Sequence, residues 1–372
     1  MAPTEILAEQ HYRTLRTLLE PLGVRCALLT GGLPAGEKRR VRLALAGGQV
    51  ELAIGTHALL SETTEFLRLG MVITDEQHRF GVAQRAALSE KGQGAHLLVM
   101  SATPIPRTLA LILYGDLDVS VLDELPPGRQ KTDTFLVNET YRGRLNGFLR
   151  QQVQAGHQCY VVCPSVEEGE TESGKAAQAW AETLQQRVFP DLQVGLLHGR
   201  MKGAEKEAVM GEFARGKIQI LVATTVIEVG VDVPNATVMV VEDADRFGLS
   251  QLHQLRGRVG RGQAKSYCIL LSNNRNPDTQ ARLKTLCKTG DGFRIAEEDL
   301  QLRGPGDFFG HRQHGLPTFR AASLSIDVSL LQQAQTAAAQ WIDRYGDADT
   351  PEAIRLRARV ERLFQDDSVA WN

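Results

Sequence analysis

The sequence predicts an α/β protein: two parallel-sheet lobes, the first truncated at its N-terminus, followed by a mainly helical C-terminal tail. Two observations predict it. Short runs rich in valine, isoleucine and leucine alternate with amphipathic stretches, and the runs lack strict every-second-residue alternation, as strands covered on both faces do. The alternation also occurs twice, on either side of the proline- and charge-rich stretch DELPPGRQKTD (123–133), which reads as an interlobe linker.

The elements follow in order. MAPTEILAEQHYRTLRTLLEPLG opens the chain on an amphipathic helix for which Thr4 is the expected N-cap. Strand candidates VRCALLT (24–30), VELAIGT (50–56), LGMVITDE (69–76) and AHLLVMSAT (95–103) then alternate with helix candidates at 36–48 and 106–115, giving a first lobe over 1–122. The second lobe, 134–275, repeats the pattern with HQCYVVCPSV (157–166), QVGLLHG (193–199), IQILVATT (218–225), ATVMVVED (236–243) and SYCILL (266–271). Helices are expected over 141–155, 175–188 and 202–215. From 276 to 372 the strand signal fades, and the tail reads as helical apart from a glycine-rich turn at 303–315.

Bulk composition narrows the class. A chain of 372 residues with 42% hydrophobic and 23% charged residues fits an ordinary globular protein, and no apolar run approaches the roughly 20 residues of a membrane span. The five cysteines are scattered and match neither a disulfide framework nor a zinc pattern, which suits a reducing cytoplasm. With a net charge of −2, any nucleic-acid surface must be local.

Polar residues collect at the ends of the expected strands. Asp75-Glu76 follows VIT, Ser101-Ala102-Thr103 follows LLVM, and Thr224-Thr225 follows ILVA and leads to Glu228, Gly230 and Asp232. QLHQLRGRVGRG (251–262) sets Arg256, Arg258 and Arg261 among glycines. Alone, an acid pair after a strand is more often a solvated turn, and a basic glycine-rich turn has the same bland reading. Together on two lobes they suit a magnesium nucleotide: a carboxylate polarises water on one side and arginines stabilise phosphoryl charge from the other.

DEQH, SATPIPRT, ATTVIEVGVD and QLHQLRGRVGRG resemble, in order and spacing, the motifs of superfamily-two helicases, and APTEILAEQH and GTHALL resemble that superfamily's first-lobe DNA-contacting motifs. DEQHRFGVAQR, YGDLDVS, DELPPGR and DGFRIAEEDLQLRGPGDFFGHRQHG (291–315) resemble the bacterial RecG-type branch-migration helicases more closely still. The resemblance implies two RecA-like lobes, ATP and Mg²⁺ as cofactors, branched or forked DNA as partner, a monomer, and no membrane. Carried over by position, it makes Asp75 the Mg²⁺ residue, mostly through water, and Glu76 the group that activates the attacking water. Gln77 and His78 link nucleotide state to Ser101 and Thr103; Gly230, Asp232 and Gln254 meet the nucleotide; Arg258 and Arg261 act as fingers on the γ-phosphate. Thr56, His57, Thr224 and Thr225 are candidate contacts to a DNA strand, and Arg303 and Arg312 belong to an element that couples cleft closure to DNA movement.

The phosphate-cradling loop GxxxxGK[ST] of such an ATPase has one near match here, GETESGKA (169–176). Ala176 stands where a magnesium-binding hydroxyl is needed, and Glu167, Glu168, Glu170 and Glu172 would surround a triphosphate with negative charge. It reads as an acidic surface loop. In the family the true loop precedes APTEILAEQH, as does a wedge-like DNA-binding domain. The expectation is therefore the C-terminal part of a longer protein, inactive as an ATPase alone and partnered by its missing N-terminal portion. Two alternatives stay open: a translocase of the transcription-repair coupling type, which shares the 291–315 element, and a non-catalytic DNA-binding remnant.

Overall fold

Among the described residues every strand pairing is parallel, as the uninterrupted apolar runs predict. The computed structural model describes residues 1–76, 94–101, 118–122, 124, 129–164, 170–224, 233–299, 328–345 and 350–366. Contacts divide the chain into two units, one made of Met1–Thr103 with Leu125–Gly290, the other of Pro104–Glu124 with Asp291–Asn372.

In the first unit, helix α1 (Glu5–Leu19) starts at Thr4, whose side chain accepts from the Leu7 amide at 3.4 Å. Strands β1 (Cys26–Leu29) and β2 (Leu52–Gly55) pair across helix α2 (Ala35–Ala46), and β3 (Met71–Thr74) pairs with β4 (His96–Val99). Met1 and Ala2 bridge the two pairs. Ala2 N donates to Gly55 O at 2.9 Å, Met1 N to Ile73 O at 2.6 Å, and Asp75 N to Met1 O at 3.0 Å.

The second lobe is a six-stranded sheet in the order β5-β10-β9-β6-β8-β7. Its strands are β5 (Asp133–Val137), β6 (Gln158–Val162), β7 (Val194–Leu197), β8 (Ile220–Ala223), β9 (Ala236–Val241) and β10 (Tyr267–Leu271). The sequence reading placed no strand at β5, which is partly exposed and sits at the sheet edge next to the linker. Central strands β6, β8 and β9 are buried at every position, and alternate residues enter separate layers. Cys159, Val161, Ile220, Val222, Val238 and Val240 pack under helices α3 (Arg142–Gln154) and α4 (Glu170–Thr183) through Leu145, Leu149, Ala177 and Ala181. Tyr160 meets Phe213 of helix α5 (Gly203–Ala214), ring centroids 4.8 Å apart. Helices α6 (Leu249–Arg256) and α7 (Pro277–Lys288) complete the lobe; Asn276 caps α7 ahead of Pro277 at its first position.

In the second unit, residues 292–299 are helical, and helices α8 (Val328–Tyr345) and α9 (Pro351–Asp366) follow. No helix among the described residues is long and apolar enough to cross a membrane.

Candidate nucleotide site

The acid pair lies where β3 ends. Glu76 has φ 53°, a left-handed conformation that few residues other than glycine adopt, so the chain turns sharply directly after the strand. The Asp75 main chain is held by Met1, and its carboxylate by His11 of α1, whose Nε2 lies 3.0 Å from Oδ2. This hydrogen bond is the largest reason that the Asp75 carboxyl titrates below its ordinary range, against the opposing effect of burial. Asp75 is therefore an ionised acceptor, and His11 Nε2 carries the shared proton.

The candidate DNA residues differ in access. Thr56 is buried, 1% exposed, its hydroxyl has no hydrogen-bond partner, and its amide extends the strand ladder to Leu29 O at 3.3 Å. His57 beside it is exposed, and its ring lies 3.9 Å from where a side chain on Gly31 would begin. The Gly31-Gly32 turn also takes the Glu5 carboxylate, which accepts from Gly32 N at 2.7 Å. Ser101 is exposed just beyond β4, whereas Thr224 is buried at the end of β8 with its amide bonded to Leu197 O at 3.1 Å.

In the second lobe the three arginines part company. Arg256, 6% exposed, turns into the protein: Nη1 donates to Leu286 O and Thr289 O, both at 2.8 Å, and Nη2 to Gly290 O at 3.4 Å. It clamps the C-terminal carbonyls of α7, where a cation is favoured by the helix dipole. Burial lowers its pKa from the ordinary arginine value. Gln254 and Arg258 are half-buried, and Arg261 is exposed with Nε bonded to Gly257 O at 3.1 Å. The turn that carries these two arginines is fitted by its glycines. Gly260 has φ +76°, and a Cβ there would lie 2.8 Å from Thr132 Oγ1; one on Gly262 would lie 2.5 Å from Pro234 O. Linker end and arginine turn are thus in direct contact.

Gln77, His78, Thr103, Thr225, Gly230, Asp232, Arg303 and Arg312 lie outside the described residues. The near match at 169–176 is a helix from Glu170 onward, so the amides from 174 on serve α4 rather than a phosphate. Sequence reasoning missed His11 and the Arg142–Glu242 pair. Both contacts join residues far apart in the chain, 64 and 100 positions, and no local pattern announces them.

Among the described residues no group of three or more His, Cys, Asp or Glu side chains could enclose a metal ion. A single ionised carboxylate beside a second one at a strand end instead suits magnesium, which keeps most of its waters and shares one or two carboxylates with substrate phosphates.

Comparison with known proteins gives a consistent picture. Three family profiles match in order: DEAD/DEAH box helicase over 1–112, helicase conserved C-terminal domain over 142–263, and ATP-dependent DNA helicase RecG, domain 3, C-terminal, over 289–372. The chain is 51% identical over 366 residues to the ATP-dependent DNA helicase RecG of Synechocystis sp., covering 98% of this chain and 44% of that one. To the RecG of Thermotoga maritima it is 49% identical over 356 residues, covering 96% and 45%. A solved structure of RecG bound to a three-way DNA junction aligns with a TM-score of 0.72 at 47% identity, covering 89% of this chain and 43% of that one. The chain spans about half the length of the curated relatives it matches.

Proposed function

The chain belongs to the RecG family of ATP-dependent DNA helicases, and we propose that it is the motor portion of an enzyme that uses ATP to branch-migrate forked DNA and Holliday junctions. The observation that carries this reading is the Asp75-Glu76 pair, set on a sharp turn at the end of β3 with the Asp75 carboxylate held by His11.

Each described residue has a role in the proposal. Asp75 holds Mg²⁺ through water, and the bound ion supplies charge neutralisation to the phosphates. Glu76 orients the attacking water and takes its proton. Arg258 and Arg261 stabilise charge on the transferred phosphoryl group, with Gln254, on the helix that leads into their turn, supporting nucleotide contact. Gly230, Asp232, Gln77 and His78 complete the nucleotide contacts; Thr103, Thr225, Arg303 and Arg312 join Ser101, His57, Thr56 and Thr224 in reading nucleotide state out to DNA. Buried Thr56 and Thr224 do so by shaping the strand ends on which they sit, Thr56 beside exposed His57. The protein acts as a monomer in the cytoplasm, as its five free cysteines suit.

These 372 residues contain no GxxxxGK[ST] loop. The β- and γ-phosphate cradle is then supplied from outside them, and the chain alone hydrolyses ATP poorly. The test joins this chain to the N-terminal portion of the Synechocystis relative and measures ATP hydrolysis with and without forked DNA. DNA-stimulated hydrolysis that falls by about 10²-fold or more with Glu76→Gln supports the assignment. Full hydrolysis by the Glu76→Gln form, or by the unjoined chain, defeats it.

A further inference from the structure

We propose that His11 is a positioning residue for the magnesium carboxylate: it holds Oδ2 of Asp75 and leaves the other oxygen to the metal's water shell. This rests on the magnesium reading of Asp75 given above. Three observations support it. The contact is direct, 3.0 Å, between side chains that are 39% and 24% exposed. It fixes a carboxylate that sits directly before a sharp bend, since Glu76 takes up the left-handed region immediately after it. Without a partner, the two side-chain torsions of Asp75 would be free beside that turn.

The third observation is the origin of His11. Helix α1 follows directly on the segment whose Met1 carbonyl accepts the Asp75 amide, so the main chain of Asp75 is tied to the lead-in of α1 and its side chain to α1 itself. The first residue of that helix, Glu5, grips the Gly31-Gly32 turn beside exposed His57. One helix thus holds, at its start, the turn beside the candidate DNA contact His57, and two turns later the candidate magnesium carboxylate. Carboxylates that ligate metals are themselves hydrogen-bonded by a surrounding shell, and losing such a partner typically weakens metal binding by about 10- to 100-fold.

The experiment titrates Mn²⁺ into the 372-residue chain and follows bound ion by water-proton relaxation, comparing the unsubstituted chain with His11→Ala, His11→Gln and Asp75→Asn. Binding that Asp75→Asn abolishes, that His11→Ala weakens by about 10-fold and that His11→Gln largely preserves, its amide donating from the place of Nε2, supports the proposal. Unchanged binding in His11→Ala, with loss in Asp75→Asn, overturns the role of His11 alone. A His11→Gln chain as weak as His11→Ala also overturns it, because the loss then belongs to packing. No bound Mn²⁺ in the unsubstituted chain, or binding indifferent to Asp75→Asn, overturns the magnesium reading and His11 with it.

Discussion

The Arg142 guanidinium grips the Glu242 carboxylate with two hydrogen bonds, 2.6 and 2.7 Å, at the end of β9. Glu139 accepts two more at 2.9 Å, and the guanidinium lies 5.0 Å over the Trp180 ring. Burial works to lower the Arg142 pKa, but the bonds to Glu242 and Glu139 outweigh it and keep the group charged. Removing Glu242 leaves the largely buried Arg142 guanidinium with only the more exposed Glu139 as its anion. Glu242→Gln should therefore destabilise the second lobe by about 3 kcal/mol in urea denaturation, whereas the double change Arg142→Met with Glu242→Leu should cost much less. Equal losses in both would show that the pair is held for a reason other than its own charge balance.

Arg256 offers a prediction of a different kind, because its partners are neutral. Arg256→Met strips donors from three carbonyls at the C-terminal end of α7 and should cost about 3 kcal/mol. Hydrogen exchange would report it as lost protection confined to α7 and the 289–290 junction. Arg256→Lys restores the charge but not the fork, so it should recover only part of that protection. An Arg256→Met chain with native exchange in α7 would remove the clamp from the account.

That arginine also marks the limit of sequence reading. The parallel strands of both lobes and the Thr4 cap were legible because burial on both faces and capping leave local patterns. Arg256, Arg258 and Arg261 look alike in a stretch of six residues, yet one serves helix α7 and the others stay on the turn. Which way each points depends on carbonyls about 30 residues away, and nothing local encodes that. β5 was missed because an edge strand beside a proline-rich linker carries too few buried residues to stand out. The His11 contact escaped for the same reason as Arg256: its partner lies on another element.

The two glycines flanking Arg258 should respond unequally to alanine. At Gly260 the methyl group meets both a φ of +76° and the Thr132 hydroxyl at 2.8 Å, so Gly260→Ala should cost about 1–3 kcal/mol. At Gly257 the nearest atoms are the Gln254 and His253 carbonyl oxygens at 3.3 and 3.5 Å, and φ is −67°, ordinary for a helix end. Gly257→Ala should then lie close to the parent in thermal unfolding. Similar melting for both variants would mean that the turn shifts off the linker end at little cost.

The cysteines give a prediction with a sign in pH. Burial pushes the thiols of Cys159, Cys163 and Cys268 up from 9.0 to about 12, while Cys26 and Cys287 are partly exposed. A buried thiol with a raised pKa favours the folded state fully below the unfolded value. Above pH 9 the unfolded chain loses its thiol protons first, so this stabilisation declines as pH rises toward about 12. Unfolding free energy should accordingly fall through that alkaline window, and substituting serine or alanine at the three sites should flatten the slope. Thiolate is the reactive form, so at pH 8 a thiol reagent should label Cys26 and Cys287 in the folded chain and reach the other three only after denaturation. Rapid native labelling of all five would mean that the six-stranded sheet opens far more readily than its packing implies.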